Sequence, residues 1–404
     1  MNDFDHRQLG NMLDLFHQQD EGPGMVFWHP RGWEVYRIVE DYIRDSMRRA
    51  GFREVRTPQL LVRSLWERSG HWDKFQAGMY SVTGAEDARP FCLKPMSCPC
   101  HVQIFNHRIR SYRDLPIRYS EFGACHRDEP SGSLEGLKRT RAFTQDDAHV
   151  FCAEEQVEAE VRNFCDLLRV VYRDLGFASF DVLLATRPRM RAGEERDWDR
   201  AEAALGAAAT AAGLPFAVRP GEGAFYGPKL EFHLIDSRGR SWQCGTIQLD
   251  FVLPERLDVS FVGAENERVR AVMIHHAVLG SMERFIAMLL EHHEGWLPSW
   301  LAPEQVTVAT VSDASNGYGR RVVAMLEDAG LRTVFDDRPE RLEKKIVDGR
   351  EQRVPLFVTV GARDEKASTL SLRLRDGTQA TFALAAGVQR LLEITQSPHS
   401  PARA

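Results

Sequence analysis

Three segments of the chain carry residues able to do chemistry. The first is KPMSCPCH, Lys94 to His101, which sets Cys98, Cys100 and His101 close together. Thiolate and imidazole are the donors zinc prefers, so a Cys-x-Cys-His trio can seed a metal site. Taken alone, the same segment reads more readily as a turn with buried thiols. The second is HRDEP, with Arg127 and Glu129, followed by a Gly/Ser loop carrying Lys138, Arg139 and Arg141. Clustered cations of this kind suit a polyphosphate, because arginine offers paired donors to phosphate oxygens. A solvated charged loop is the plain alternative. The third is IHHAVLGSMERF, where His275 precedes a helix carrying Arg284. Taken together, Cys98, His149 and His275 lie on three segments, each of which can be placed on a strand or strand end of a single antiparallel sheet. One thiolate and two imidazoles make a three-ligand zinc site with a free coordination position, whereas a structural site closes with four ligands.

Hydrophobic spacing predicts the scaffold around these residues. Val35, Tyr36, Ile38, Val39, Tyr42, Ile43 and Met47 recur at helical intervals, predicting an amphipathic helix over 33–50, ended by Gly51. A short strand over 54–57 stops at Pro58. IRYSEFGACHR and AFTQDDAHVFC read as strands around a polar loop. Helices are expected over 154–174 and 197–212, and strands over 181–187, 230–235, 241–244 and 246–251. After Pro298 and Pro303 the order becomes strand 306–311, helix 317–329, strand 332–336, helix 340–349, strands 355–361 and 369–375, and helix 385–395. That alternation predicts a second, small α/β domain. The expected division is 1–299 and 300–395, with a disordered tail at 396–404.

Bulk properties narrow the class. The 404 residues are 43% hydrophobic and 27% charged, with a net charge of −6. Two soluble domains are the natural reading, and any nucleic acid must be held by local patches rather than by a global field. No apolar run reaches the roughly 18 residues a membrane span needs, and the start carries no signal-peptide pattern. The expectation is a cytoplasmic protein with neither a membrane nor a DNA partner. Its seven cysteines form no disulfide framework.

The combination KPMxCPxH, EFGxCHRxEPSGSLxGL, FTQDDAH, GEGAFYGPKxEF, WQCGTxQLDF and LGSMERF resembles the class II aminoacyl-tRNA synthetases, and within them threonyl-tRNA synthetase, over nearly the whole chain. The resemblance implies an α/β (α+β) fold: the class II antiparallel sheet flanked by helices, plus a C-terminal α/β anticodon-binding domain with a mixed sheet. It implies activation of L-threonine with ATP and transfer to the 3′ end of threonine tRNA, and a homodimer formed through the helix and strand before Pro58. The ATP residues implied are Arg127 (α-phosphate), Glu129 (adenine amino group), Arg139 (γ-phosphate), Phe143 (adenine stacking), Gln243 and Arg284, with Arg127 and Arg284 catalytic. Met96, Gln145, Asp147, Tyr226, Lys229 and Gln248 match the threonine pocket. Cys98, His149 and His275 match the ligands of Zn²⁺, and Mg²⁺ accompanies ATP. Arg373 lies where a strand side chain can reach an anticodon base.

Several features depart from the family pattern. The core begins almost at Met1, which implies a form without the N-terminal and editing domains and so without clearance of serine errors. Cys100 stands in place of a glycine and raises the question of a perturbed or duplicated thiolate. His276 stands in place of an arginine. Asp-Arg-Pro-Glu at 337–340 replaces Arg-Asn-Glu, and Pro339 lacks an amide side chain for base recognition. Two further readings stand beside the ligase. One is a paralogue activating threonine, or a β-hydroxy analogue, for a carrier protein or a dedicated tRNA. The other is a non-catalytic RNA-binding or regulatory protein.

Overall fold

The computed structural model describes residues 4–84 and 89–399, so residues 400–404 of the expected tail lie outside the described residues. Two compact units emerge. One holds Gln18–Val26 and Glu40–Met288; the other holds the residues up to His17, Phe27–Val39 and those from Leu289 onward. The units therefore differ from the division expected at 299/300: two N-terminal segments group with the C-terminal part of the chain.

The larger unit is built on an eight-stranded sheet. Its spatial order is Ala217–Arg219, Asp181–Ala185, Lys229–Ile235, Ser241–Asp250, Val272–Ser281, Ala142–Cys152, Ile117–His126 and Arg53–Glu54. The interior pairings are antiparallel, and only the two edge strands add in parallel. The helix Val157–Asp174 turns Val157, Val161, Phe164, Leu168, Val171 and Tyr172 inward at helical spacing. The two strands expected over 241–251 are one, Ser241–Asp250. Gly245 does not break it; it makes room, since a Cβ there would sit 2.6 Å from Leu168 and 3.1 Å from the Tyr172 hydroxyl. The expected strand at 54–57 is shorter, ending at Glu54.

A three-stranded sheet that the sequence reading lacks (Leu60–Val62, Pro90–Leu93 and Ser81–Thr83) precedes the helix Cys98–Asn106. The helix Pro30–Arg49 buries Val35, Tyr36, Val39, Tyr42, Ile43 and Met47 and stops at Gly51, whose φ of 84° suits only glycine.

The second unit carries a five-stranded mixed sheet ordered Thr333–Asp336, Val306–Thr310, Leu356–Val360, Thr369–Arg373 and Gln379–Ala383. The first three strands are parallel, and the helices Asn316–Asp328 and Leu342–Glu351 make the crossovers that parallel pairing requires. No helix among the described residues is long and apolar enough to cross a membrane.

Candidate functional site

The central strands of the large sheet aim their side chains into one cleft of about 350 Å³. Its lining includes Met96, Arg127, Glu129, Arg139, Phe143, Gln145, Tyr226, Lys229, Gln243, Gln248 and Arg284. Every residue expected at the nucleotide site thus meets there, as do all of the expected threonine-pocket residues but one. The exception is Asp147, which is buried beside the cleft, accepts the Ser97 N–H at 3.0 Å and lies 3.7 Å from His149 Nε2.

Local structure fixes the cations. Arg127 donates to the Pro95 carbonyl at 3.2 Å and lies 5.0 Å over the Phe143 ring. Arg284 donates to the carbonyls of Lys138 and Gln243, both at 2.8 Å, and packs over Trp242. Its helix is delivered by an irregularity between Ala277 and Ser281, where Asp146 accepts the N–H groups of Val278, Leu279 and Gly280. Such bulges re-aim the chain beyond them. Burial pushes the Asp146 carboxyl up to about 7, against the pull of those three donors.

Lys138, counted among the loop cations, also lines the cleft, but its ammonium is engaged in a buried pair with Asp236 at 2.8 Å. Glu129 and Arg139 are bonded to each other at 2.8 Å. Lys229 pairs with Glu231 at 2.6 Å. Tyr226 donates to Gln248 Oε1 at 2.7 Å, while the buried Gln145 Oε1 has no partner among the described residues.

The GEGAFYGPK segment owes two glycines to close approach. A Cβ on Gly223 would meet the Thr186 carbonyl at 2.6 Å, and one on Gly227 would meet the Leu249 carbonyl at 1.8 Å.

Beneath the cleft, Cys98, His149 and His275 are buried and offer donor atoms that all lie within 4.8 Å of one another. One of their settings corrects the sequence reading: Cys98 does not sit on the sheet but opens the helix Cys98–Asn106. His275 lies on a strand as expected, inside Val272–Ser281 and directly across from His149. Sequence spacing does not show that juxtaposition, because it depends on which strands pair.

The donor set suits a metal ion. His275 Nε2 is 2.8 Å from Asp250 Oδ2, so that nitrogen carries the proton and Nδ1 presents a lone pair. His149 Nδ1 is engaged by His101 at 2.8 Å, which leaves Nε2 facing His275 Nδ1 at 3.0 Å. Two imidazole lone pairs turned toward each other beside a thiol suit a thiophilic cation. Burial also holds His149 in its neutral form and pushes the Cys98 thiol up. Cys100 stays out of this group: its neighbours are Lys94, the Thr57 hydroxyl and the apolar cluster of Trp66, Met79 and Cys92, and burial pushes its thiol up to about 11. His276 packs between Phe52 and Phe164, and its buried Nδ1 has no partner among the described residues.

Phe75, Phe225 and Thr246 also line the cleft, and His71 Nε2 lies 3.5 Å from Cys98 Sγ. None of these four was read from the sequence; a histidine following Gly70 carries no local signal. In the smaller unit, Arg338 is held by Asp336 at 2.7 Å and by Asp348 at 2.9 Å, and Arg373 stands opposite Gln379 on the neighbouring strand.

Comparison with known proteins agrees with this arrangement. Residues 80–293 match the tRNA synthetase class II core domain (G, H, P, S and T), and residues 305–394 match an anticodon binding domain. A threonine–tRNA ligase from Teredinibacter turnerae is 52% identical over 92% of this chain and 58% of its own length. One from Cupriavidus necator is 53% identical over 96% of this chain and 61% of its own. The chain therefore spans about 60% of the length of the curated relatives it matches. The crystal structure of the RNA binding domain of threonyl-tRNA synthetase from Cryptosporidium parvum superposes with a TM-score of 0.90 at 38% identity, covering 96% of this chain and 98% of that one. The chain belongs to the class II tRNA synthetases, in the threonyl-tRNA synthetase family.

Proposed function

We propose that the chain activates L-threonine with ATP and transfers the threonyl group to the 3′ end of threonine tRNA, acting as a homodimer through the helix and strand before Pro58. The observation that carries this reading is the convergence of Arg127, Arg284, Phe143 and the threonine-pocket residues on one cleft above three buried metal donors.

The threonine carboxylate attacks the α-phosphorus of ATP, and pyrophosphate leaves. Negative charge grows on the α-phosphoryl oxygens as it does so. Arg127, stacked on Phe143 and anchored at the Pro95 carbonyl, stabilises that charge without having to reorganise. Arg284, fixed by two carbonyls, meets the triphosphate from the other side, where Mg²⁺ accompanying ATP would offset phosphate charge. Arg139 exchanges Glu129 for the γ-phosphate, and Glu129 turns to the adenine amino group. The tRNA ribose hydroxyl then attacks the adenylate carbonyl.

Cys98, His149 and His275 would hold Zn²⁺, which would supply Lewis-acid chemistry toward the amine and hydroxyl of threonine. Asp147, Gln145 and the Tyr226–Gln248 pair orient the same groups. An apolar pocket separates threonine from valine only about 10²-fold; donors that must be matched reject valine more strongly, and serine passes.

ATP–pyrophosphate exchange with threonine, serine and valine, run on metal-analysed protein, tests the reading. Exchange with threonine, weaker exchange with serine and none with valine support it; no exchange with threonine overturns it. A second reading, activation for a different acceptor, is favoured by Asp-Arg-Pro-Glu at 337–340, where Arg338 is already engaged by two aspartates. Charging of threonine tRNA and of its anticodon variants separates the two.

A further inference from the structure

Behind the metal donors runs a buried chain of hydrogen bonds that the reaction above does not use. His149 Nδ1 lies 2.8 Å from His101 Nδ1. His101 Nε2 lies 3.1 Å from Glu121 Oε2. Glu121 also accepts the Thr57 N–H and hydroxyl, both at 2.8 Å, and the Lys94 ammonium at 3.1 Å. Lys94 donates as well to the Thr57 hydroxyl at 2.9 Å. His101, Glu121, Lys94 and Thr57 are all buried, so water does not substitute for any of these partners.

With His101 as a neutral imidazole, the donor–acceptor roles along this chain have one consistent solution. Lys94 has only donors and an ionised Glu121 only acceptors, so His101 must present N–H at Nε2. Its Nδ1 is then an acceptor, and His149 must present N–H at Nδ1. That leaves His149 Nε2 as a lone pair, turned toward His275 Nδ1 and the Cys98 side of the site. Glu121 can stay charged in this interior: its carboxyl sits at about 2, because His101, the Thr57 N–H and Lys94 outweigh the cost of burial.

We propose that Glu121 and His101 are positioning residues that set the ring tautomer and orientation of His149, and so the metal affinity of the site. This inference rests on the zinc reading given under Proposed function and extends it to residues that touch neither substrate nor metal. It explains why Lys94 and His101 bracket Cys98 in the KPMSCPCH segment: one segment supplies a metal donor and both ends of the chain that orients a second donor. It also ties the site to Thr57, in the segment before Pro58.

The test is the zinc dissociation constant of the full chain, measured by competition with a chromophoric chelator, for the parent, Glu121→Gln and His101→Leu. Outer-shell partners of metal-bound histidines typically alter affinity by about 10–100-fold, and both variants are expected to bind zinc that much more weakly. In parallel, ¹⁵N-histidine spectra of the zinc-loaded parent read the tautomer directly and do not depend on either variant folding. A proton on His149 Nδ1 is expected; a proton on Nε2 overturns the proposal. If the parent takes up zinc and both folded variants hold it equally well, the proposal fails while the zinc reading stands. If the parent takes up no zinc, the zinc reading fails and the proposal falls with it.

Discussion

Gly227→Ala probes how closely the threonine pocket is built. Gly227 separates Tyr226 from the strand that starts at Lys229, and an added Cβ would lie 1.8 Å from the Leu249 carbonyl oxygen. Real Cβ contacts do not fall below 3.0 Å, so one backbone must move by 3.0 − 1.8, or about 1.2 Å. Neither side is free to give. Leu249 lies between Gln248, which pairs with both Lys229 and His275, and Asp250, which holds His275 Nε2. The displacement therefore reaches Tyr226, Gln248 and the metal donors together. Overpacking of this kind costs about 1–3 kcal/mol, and a misplacement of about 1 Å at reacting groups lowers rate about 10²-fold. The assay is threonine-dependent ATP–pyrophosphate exchange alongside thermal unfolding. The expected result is a drop of about 10²-fold in kcat/KM and a melting temperature lower by several degrees. Gly317→Ala, with nothing within 4 Å of its added Cβ, is the control. Exchange within twofold of the parent and an unchanged melting temperature would refute the argument that close backbone approach shapes this pocket.

Other outcomes come from the same geometry. Burial pushes the Glu283 carboxyl from 4.5 up to about 8. A raised carboxyl contributes stability that is fully present below the unfolded value and is lost as pH rises through about 8; the ceiling is about 5 kcal/mol, with the opposing pull of the Thr144 N–H already included. Glu283→Gln keeps an acceptor for that N–H but does not titrate, so urea unfolding should show its advantage over the parent growing from about pH 5 to pH 9; parallel curves would contradict this. Arg284→Ala should lower kcat for exchange about 10²–10³-fold, with Arg284→Lys intermediate, because an ammonium cannot satisfy two carbonyls and a phosphate with one planar fork; equal rates for Lys and Arg would count against it. Lys138→Met leaves Asp236 as a buried charge and should destabilise the protein by about 3–5 kcal/mol; chemical denaturation within about 1 kcal/mol of the parent would show that Arg240 and Trp242 satisfy Asp236 unaided.

A cluster of cations suited to a polyphosphate was legible along the chain alone, beside the plainer reading of a solvated loop. Arg127, Glu129, Arg139 and Phe143 lie within a strand–loop–strand stretch, so their meeting is a local matter that spacing can show. The Lys229–Ile235 strand and the long helices were legible for the same reason: periodic burial is written along a single segment. One hairpin signal, Asp376-Gly377 before the strand Gln379–Ala383, was present but was not read. Features that depend on partners distant in sequence had to wait for the fold. Only strand pairing sets His275 across from His149, and only the packing of the Cys98–Asn106 helix brings a thiol beneath them. Lys138 looked like a phosphate ligand until Asp236 claimed it. Gly245 looked like a strand break until Leu168 and Tyr172 occupied the space that a side chain would need. The roles of Glu121 and His101 were invisible to spacing, because a buried polar group takes its meaning from its hydrogen-bond partners, and those are fixed only when the chain has folded.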